Sequence, residues 1–217
     1  MLNLSPSLMC ADQGYFAEEI KQLEAAGATT FHIDIMDGEF VPNFALSWAQ
    51  VGYCRKKTNL KLEAHLMVQN IMAHLPFAYK SGINKVYLHF GHPQLEEAFL
   101  DAQSNGLDVG LVVNPEHELE EFEGWLTRVT DVMVMRVRPG FAGQTAIDTV
   151  DGKVLKIKEK FPNVNIIVDG AVSPAVIRRL YPAGVTGFVL GTSALFRKKE
   201  PYKIIMKSLL ENICRNA

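Results

Sequence analysis

The segment Phe31-His32-Ile33-Asp34-Ile35-Met36 sets an imidazole and a carboxylate two residues apart in a β-branched run. Side chains alternate across a strand, so His32, Asp34 and Met36 share one face while Ile33 and Ile35 take the other. The apolar pair suits a covering helix layer, which leaves His32 and Asp34 turned toward an interior. Glu63-Ala64-His65-Leu66-Met67 repeats the pattern, with His65 and Met67 on one face and Glu63 deeper on the same face. A carboxylate buried there needs a cation, either Lys61 or a group on a neighbouring strand. A third apolar run, Ile167-Val168, delivers Asp169 just before Gly170. Ser173, ahead of Pro174, is better placed to cap the following helix, which leaves Asp169 free for chemistry. Two imidazoles and two carboxylates, His32, Asp34, His65 and Asp169, suit one borderline divalent metal ion. Zn2+, Fe2+, Co2+ and Mn2+ all suit such a set, and the ligand types do not choose among them, although Zn2+ is the expected ion.

A second group of residues suits an anion. Pro139-Gly140-Phe141-Ala142-Gly143-Gln144, Asp169-Gly170-Ala171 and Gly191-Thr192-Ser193 are small-residue turns that follow successive apolar runs. Glycines allow close backbone approach, and consecutive N–H groups can cradle a phosphate.

These residues need a scaffold that brings distant strand ends together. Candidate strands lie at Leu2–Leu8, Thr30–Met36, Lys61–Met67, Lys85–His89, Asp108–Val113, Val132–Val137, Asn165–Val168 and Gly187–Leu190. Helical stripes alternate with them, such as Tyr15, Phe16, Ile20 and Leu23 before Gly27, and Val172, Val176, Ile177 and Leu180. The segment Pro201–Cys214 reads as a closing helix. Strands alternating with helices imply βαβ units and a parallel sheet. The pattern predicts one α/β domain over residues 1–217, a (β/α)8 TIM barrel with its chemistry at the C-terminal strand ends. No Gly-rich dinucleotide turn follows Leu8, which argues against an open doubly wound sheet.

Composition narrows the partners. The chain has 217 residues, 48% hydrophobic, with a formal net charge of -2, so it carries no basic field for nucleic acid or an anionic membrane. The three cysteines, Cys10, Cys54 and Cys214, show no CxxC spacing and read as reduced thiols. No membrane span or signal peptide is expected, and the expected location is the cytoplasm. His74, His92 and His117 read as solvated, His89 as either lining the site or structural, Met133 as core filling, and Trp48 and Trp125 as helix packing.

The motifs Ser5-Pro6-Ser7-Leu8, His32-Ile33-Asp34-Ile35-Met36-Asp37-Gly38, Val41-Pro42-Asn43, Ala64-His65-Leu66-Met67-Val68, Pro139 to Gln144 and Val168-Asp169-Gly170 together resemble the ribulose-phosphate 3-epimerase family, from about residue 2 to residue 200. The resemblance implies a ribulose-phosphate-binding barrel and an isomerase that epimerises C3 of a ketose phosphate, D-ribulose 5-phosphate to D-xylulose 5-phosphate. It implies a metal on His32, Asp34, His65 and Asp169, with Asp34 and Asp169 as the acid/base pair. Ser7 and His65 would touch substrate, and Met36, Met67 and Met135 would line the pocket. The phosphate would sit on Gly140, Phe141, Ala142, Gly143, Gly170, Ala171, Gly191, Thr192 and Ser193. It also suggests a homo-oligomer. Some motifs are similar to allulose-6-phosphate 3-epimerases, which act on a six-carbon ketose phosphate. Arg136, Arg138 and Ala171 depart from the family pattern, which keeps a non-catalytic sugar-phosphate binder as a reading of another class. A phosphate-binding decarboxylase ranks behind, because no lysine accompanies His32-Ile33-Asp34. Alternation sets Arg136 and Arg138 on the face opposite Met135.

Overall fold

The computed structural model describes residues 2–147 and 150–214, with side chains through residue 211. Eight parallel strands follow one another around a barrel: β1 (Asn3–Pro6), β2 (Thr30–Met36), β3 (Lys61–Met67), β4 (Lys85–His89), β5 (Asp108–Val113), β6 (Asp131–Met135), β7 (Asn165–Asp169) and β8 (Gly187–Leu190). From β2 onward each strand pairs with the next, β8 pairs with β1, and a parallel bridge between Ser7 and His32 closes the circle between β1 and β2. Helices follow the strands: α1 (Phe16–Ala25), α2 (Trp48–Arg55), α3 (Ile71–Lys80), α4 (Leu95–Ser104), α5 (Leu119–Leu126), α6 (Val150–Lys160), α7 (Pro174–Leu180) and α8 (Tyr202–Cys214). The chain is thus the (β/α)8 TIM barrel its alternation implies.

The strand pattern decides which side chains enter the barrel. Phe31, Ile33 and Ile35 of β2 and Leu62, Ala64 and Leu66 of β3 pack outward against the helices in one large core. Tyr87, Val112, Met133, Met135, Ile167 and Val189 fill the barrel interior, joined by Val137 just after β6. A third small cluster, Met36, Val41 and Met67, sits at the C-terminal ends of β2 and β3. Met133 is core filling, as its position suggested.

Local chemistry sets the element ends. The Ser173 hydroxyl accepts from the Val176 N–H and Pro174 occupies the first turn of α7. Ser47 and Gln50 form a reciprocal capping box on α2. β1 is shorter than the apolar run Leu2–Leu8, because after Ser7 the chain turns into a one-turn 3-10 helix, with the Cys10 N–H bonded to the Ser7 carbonyl. β6 likewise ends at Met135, although the Arg136 N–H still donates to the Asp169 carbonyl at 2.7 Å. Tyr15 is exposed and precedes α1, so the helical stripe begins at Phe16. No helix among the described residues is long and apolar enough to cross a membrane. Cys10 and Cys54 are free and buried, and the Cys214 side chain lies outside the described residues.

Candidate active site

The C-terminal ends of β2, β3 and β7 carry His32, Asp34, His65 and Asp169 to one place. One donor atom from each lies within 4.8 Å of all the others. His32 Nε2 is 3.3 Å from Asp34 Oδ1, and His65 Nδ1 is 3.6 Å from Asp34 Oδ1 and 3.8 Å from Asp169 Oδ2. The two outer separations are too long for hydrogen bonds. His32 Nδ1 and Nε2 and His65 Nδ1 are buried and have no hydrogen-bond partner among the described residues. Buried nitrogens left unsatisfied beside carboxylates are costly unless something completes them. Donors about 2.1 Å from a shared tetrahedral ion stand about 3.4 Å apart, so this set fits a divalent metal.

Three of the four ligand candidates are braced from behind. The Ser7 hydroxyl donates to Asp34 Oδ2 at 2.6 Å, and the Gly170 N–H donates to Asp169 Oδ1 at 2.7 Å. His65 Nε2 lies 2.8 Å from His89 Nε2. Burial, reinforced by the charge of nearby His65, pushes His89 well below the ordinary histidine range. His89 therefore stays neutral and can accept from His65 Nε2–H, which leaves His65 Nδ1 facing the carboxylates, where it would be available to a metal ion.

The two carboxylates differ electrostatically. Burial works against an ionised Asp34, but His32 and His65 outweigh it and hold its pKa well below the usual range. Asp169 moves the other way: burial raises it and the Asp34 charge adds to that, outweighing His32 and His65. Burial works against the charged form of His32 too, yet the Asp34 carboxylate raises its pKa to about 9. The Asp34 side chain is 6% exposed and that of Asp169 16%, so Asp169 is the more open to the cleft.

That cleft holds about 580 Å³ of empty space. Ser7, Asp34, Met36, His65, Met67, Met135 and Asp169 line its floor and walls, and Gly140–Gly143, Gly170–Ala171 and Gly191–Ser193 line the other side. His32 stands behind this lining, fully buried. The backbone is left-handed at Gly140 (φ +123°), Gly143, Gly170 (φ +93°) and Ala171 (φ +49°). Left-handed residues are components of anion-binding nests. Gly170 also permits close contact, since a Cβ there would sit 2.6 Å from Val137 Cγ2 and 3.0 Å from its backbone nitrogen.

The model of the ribulose-phosphate 3-epimerase family matches residues 3–196. The chain belongs to that family. The chloroplastic ribulose-5-phosphate-3-epimerase of Arabidopsis thaliana is 34% identical over 204 residues, 91% of this chain and 72% of that protein. The ribulose-phosphate 3-epimerase of Bacillus subtilis is 31% identical, covering 94% of this chain and 97% of its own. That of Methanocaldococcus jannaschii is 32% identical over 97% of this chain and 91% of its own. Among solved structures, a mutant tryptophan synthase α-subunit from Pyrococcus furiosus superposes with a TM-score of 0.72 at 13% identity, covering 98% of both chains. A thiamine phosphate pyrophosphorylase from Pyrococcus furiosus gives 0.70 at 16%, covering 99% of this chain and 96% of its own. At such identities the likeness is one of fold.

Within this family member, several residues do more than their sequence context signalled. Asn43 Nδ2 donates to the Gly140 carbonyl at 2.6 Å, and Val41 lies where a Gly140 Cβ would approach to 3.2 Å. The Val41-Pro42-Asn43 motif thus anchors the Gly140 loop from across the barrel mouth. Ser7 contacts Asp34 while also lining the cleft. The expectation of solvated histidines is corrected for His92, while His74 and His117 are half-buried and keep some exposure. His92 is buried, with Nδ1 accepting from the Gln94 N–H. His74 accepts from the Trp48 indole, and His117 from the Asn114 N–H. Each is engaged in fixing a loop or helix next to the barrel. Glu63 finds its cation on a neighbouring strand, Lys85 of β4 at 3.8 Å, and not at Lys61.

Proposed function

We propose that this chain interconverts D-ribulose 5-phosphate and D-xylulose 5-phosphate by moving the C3 proton between Asp34 and Asp169. The observation that carries this reading is the pair of carboxylates. They come from β2 and β7, both face His65 Nδ1, and both line the cleft, so that one carboxylate can stand on each side of a reacting carbon held there. In one direction the ionised Asp34 takes the C3 proton, the C3–H electrons form a C2–C3 π bond, and the C2=O π electrons move onto the C2 oxygen to give an enediolate. Asp169, in its protonated form, returns a proton to the other face of C3 as the C2 carbonyl re-forms. The reverse direction exchanges the roles, and no net oxidation occurs. Ser7 and the Gly170 N–H keep each carboxylate aimed while it gains or loses a proton. Met36, Met67 and Met135 give the reacting carbon apolar walls that limit water.

His32, Asp34, His65 and Asp169 would hold one divalent ion, Zn2+ by preference. When bound, such an ion supplies Lewis-acid polarisation of the C2 ketone, worth several kcal/mol. The turns at Gly140–Gly143, Gly170–Ala171 and Gly191–Ser193 would hold the phosphate and thereby place C3 between the carboxylates. The reading is of a cytoplasmic homo-oligomer acting on a small sugar phosphate, with no nucleic-acid or membrane partner.

Proton exchange in D2O, followed by NMR with metal-loaded protein, tests this. D-ribulose 5-phosphate and D-allulose 6-phosphate are run side by side. Deuterium at C3, entering faster with ribulose 5-phosphate, is the expected result. Faster exchange with allulose 6-phosphate would move the assignment to the six-carbon substrate. No exchange with either would overturn the enzyme reading in favour of a binder.

A further inference from the structure

Arg136 is the largest fully buried side chain in the described protein, 1% exposed, at the root of the glycine loop. Besides the bond from its N–H to the Asp169 carbonyl, it makes three further contacts among the described residues that bear on the loops. Its carbonyl accepts from the Ile147 N–H at 2.8 Å, so the excursion that carries Pro139–Gln144 leaves and returns at this residue. Its Nη1 donates to the Ala171 carbonyl at 3.3 Å, on the neighbouring turn. Its Nε donates to Asp151 Oδ1 of α6 at 3.0 Å, and Asp151 also pairs with Arg179 of α7. The backbone of this residue thus closes the base of the Gly140 loop, while its side chain ties the Gly170–Ala171 turn to Asp151 of α6 and, through Asp151, to α7.

Ala171 gives the link a purpose. It has a side chain yet sits at φ +49°, where non-glycine residues are uncommon. Such a conformation persists only when surrounding contacts hold it. Arg136 supplies one of those contacts, at the Ala171 carbonyl. A turn that relaxed at Ala171 would move a wall of the cleft.

We propose that Arg136 is a positioning residue for anion binding: from outside the cleft it fixes the Gly170–Ala171 turn and the root of the Gly140 loop in the shape that receives a phosphate. The proposal rests on the phosphate reading given above, and its test separates the two. Arg136→Met removes the guanidinium at similar length. Arg136→Lys keeps the charge but cannot reach Asp151 and Ala171 together. Inorganic phosphate binding is measured by calorimetry for each variant, with circular dichroism to establish the fold, and needs no turnover. KM and kcat for ribulose 5-phosphate are measured in parallel, with exchange into unphosphorylated ribulose as the control.

For Arg136→Met we expect phosphate affinity to fall about tenfold, the size of a lost charge-assisted hydrogen bond, with KM rising by a similar factor. Arg136→Lys should fall between Met and wild type. Exchange into free ribulose should stay within about twofold of wild type, because uniform binding through the phosphate is what is lost. Wild-type phosphate affinity and KM in folded Arg136→Met would overturn the proposal. Should Arg136→Met fail to fold, Arg136→Lys decides alone: unchanged phosphate affinity overturns the proposal and a partial loss supports it. If wild-type protein binds phosphate but does not turn over ribulose 5-phosphate, the substrate reading fails while the affinity test of Arg136 stands.

Discussion

Charged groups gather at both ends of this barrel, and the two gatherings differ in how completely they are satisfied. At the N-terminal end, Lys85 pairs closely with Asp131 and lies 3.8 Å from Glu63. Asn165 Nδ2 donates to Asp131 at 2.9 Å, and the Tyr87 hydroxyl approaches Glu63 at 3.4 Å. Both buried carboxylates there, Glu63 and Asp131, have a cation and a donor. At the C-terminal end, His32 and His65 keep buried nitrogens without partners, facing two carboxylates. A closed network holds strands together, whereas an open one has coordination left for an ion or a substrate. Residue type alone does not separate the two, since both ends are carboxylates beside cationic or ionisable groups. The difference lies in what remains unpaired.

The comparison breaks most sharply through substitution at the open end. Asp34→Asn and Asp169→Asn should each lower C3 exchange by about a thousandfold or more, within the range for loss of a general acid or base. Both should fold, because the amide is nearly isosteric and Ser7 and Gly170 retain an oxygen to donate to. Exchange within tenfold of wild type in a metal-loaded variant would sink the two-carboxylate mechanism. At the closed end, Lys85→Met should reverse the pattern. It strands Glu63 and Asp131 as buried carboxylates, a loss of about 3 kcal/mol in stability. The folded fraction should keep kcat within about twofold. Denaturant melts alongside turnover at low temperature would read both, and a kcat loss without destabilisation would contradict the division of roles.

Metal removal sharpens the contrast. In metal-free protein His32 is raised from 6.5 to about 9 by Asp34. A histidine with a raised folded-state pKa contributes stability that is fully present below pH 6.5 and lost as pH climbs toward 9. The chelated protein should therefore show a melting temperature that falls across that window. Metal-loaded protein should be flat there, because a ligating imidazole carries no titrating proton. Parallel curves for the two forms would argue against His32 as a ligand.

Much of this was legible in the sequence, for a physical reason. Alternation along β2 and β3 announces which side chains face inward, so His32, Asp34 and His65 could be placed before any coordinates. It also set Arg136 opposite Met135, and its side chain does lie outside the barrel, among α6, α7 and the Gly170–Ala171 turn. Pairing across strands is another matter. Neither the partner of Glu63 nor the reach of Asn43 to Gly140 follows from spacing, because each depends on the register of strands distant in sequence. The burial of His92 was hidden for a related reason: its loop looks polar, but it folds over the ring of Phe40, 5.8 Å away, a contact contributed by the loop after β2.

The smallest effect tests the closed end most finely. Burial raises the pKa of Glu63 despite the nearby Lys85, so its charged form is disfavoured relative to the unfolded chain. For an acid raised in this way, stability is greatest at low pH and declines as pH rises through the unfolded value toward the folded one; above that the penalty is constant. Glu63→Gln removes the penalty and retains an acceptor for Tyr87, and Lys85 keeps Asp131. We expect this variant to be more stable than wild type at neutral pH by up to about 1 kcal/mol, with exchange unchanged. The gain should vanish at acidic pH, where Glu63 is protonated in both states. A loss of stability at neutral pH would instead mean that Lys85 needs both carboxylates, so that the closed network holds together as a triad and not as one pair with a tolerated neighbour.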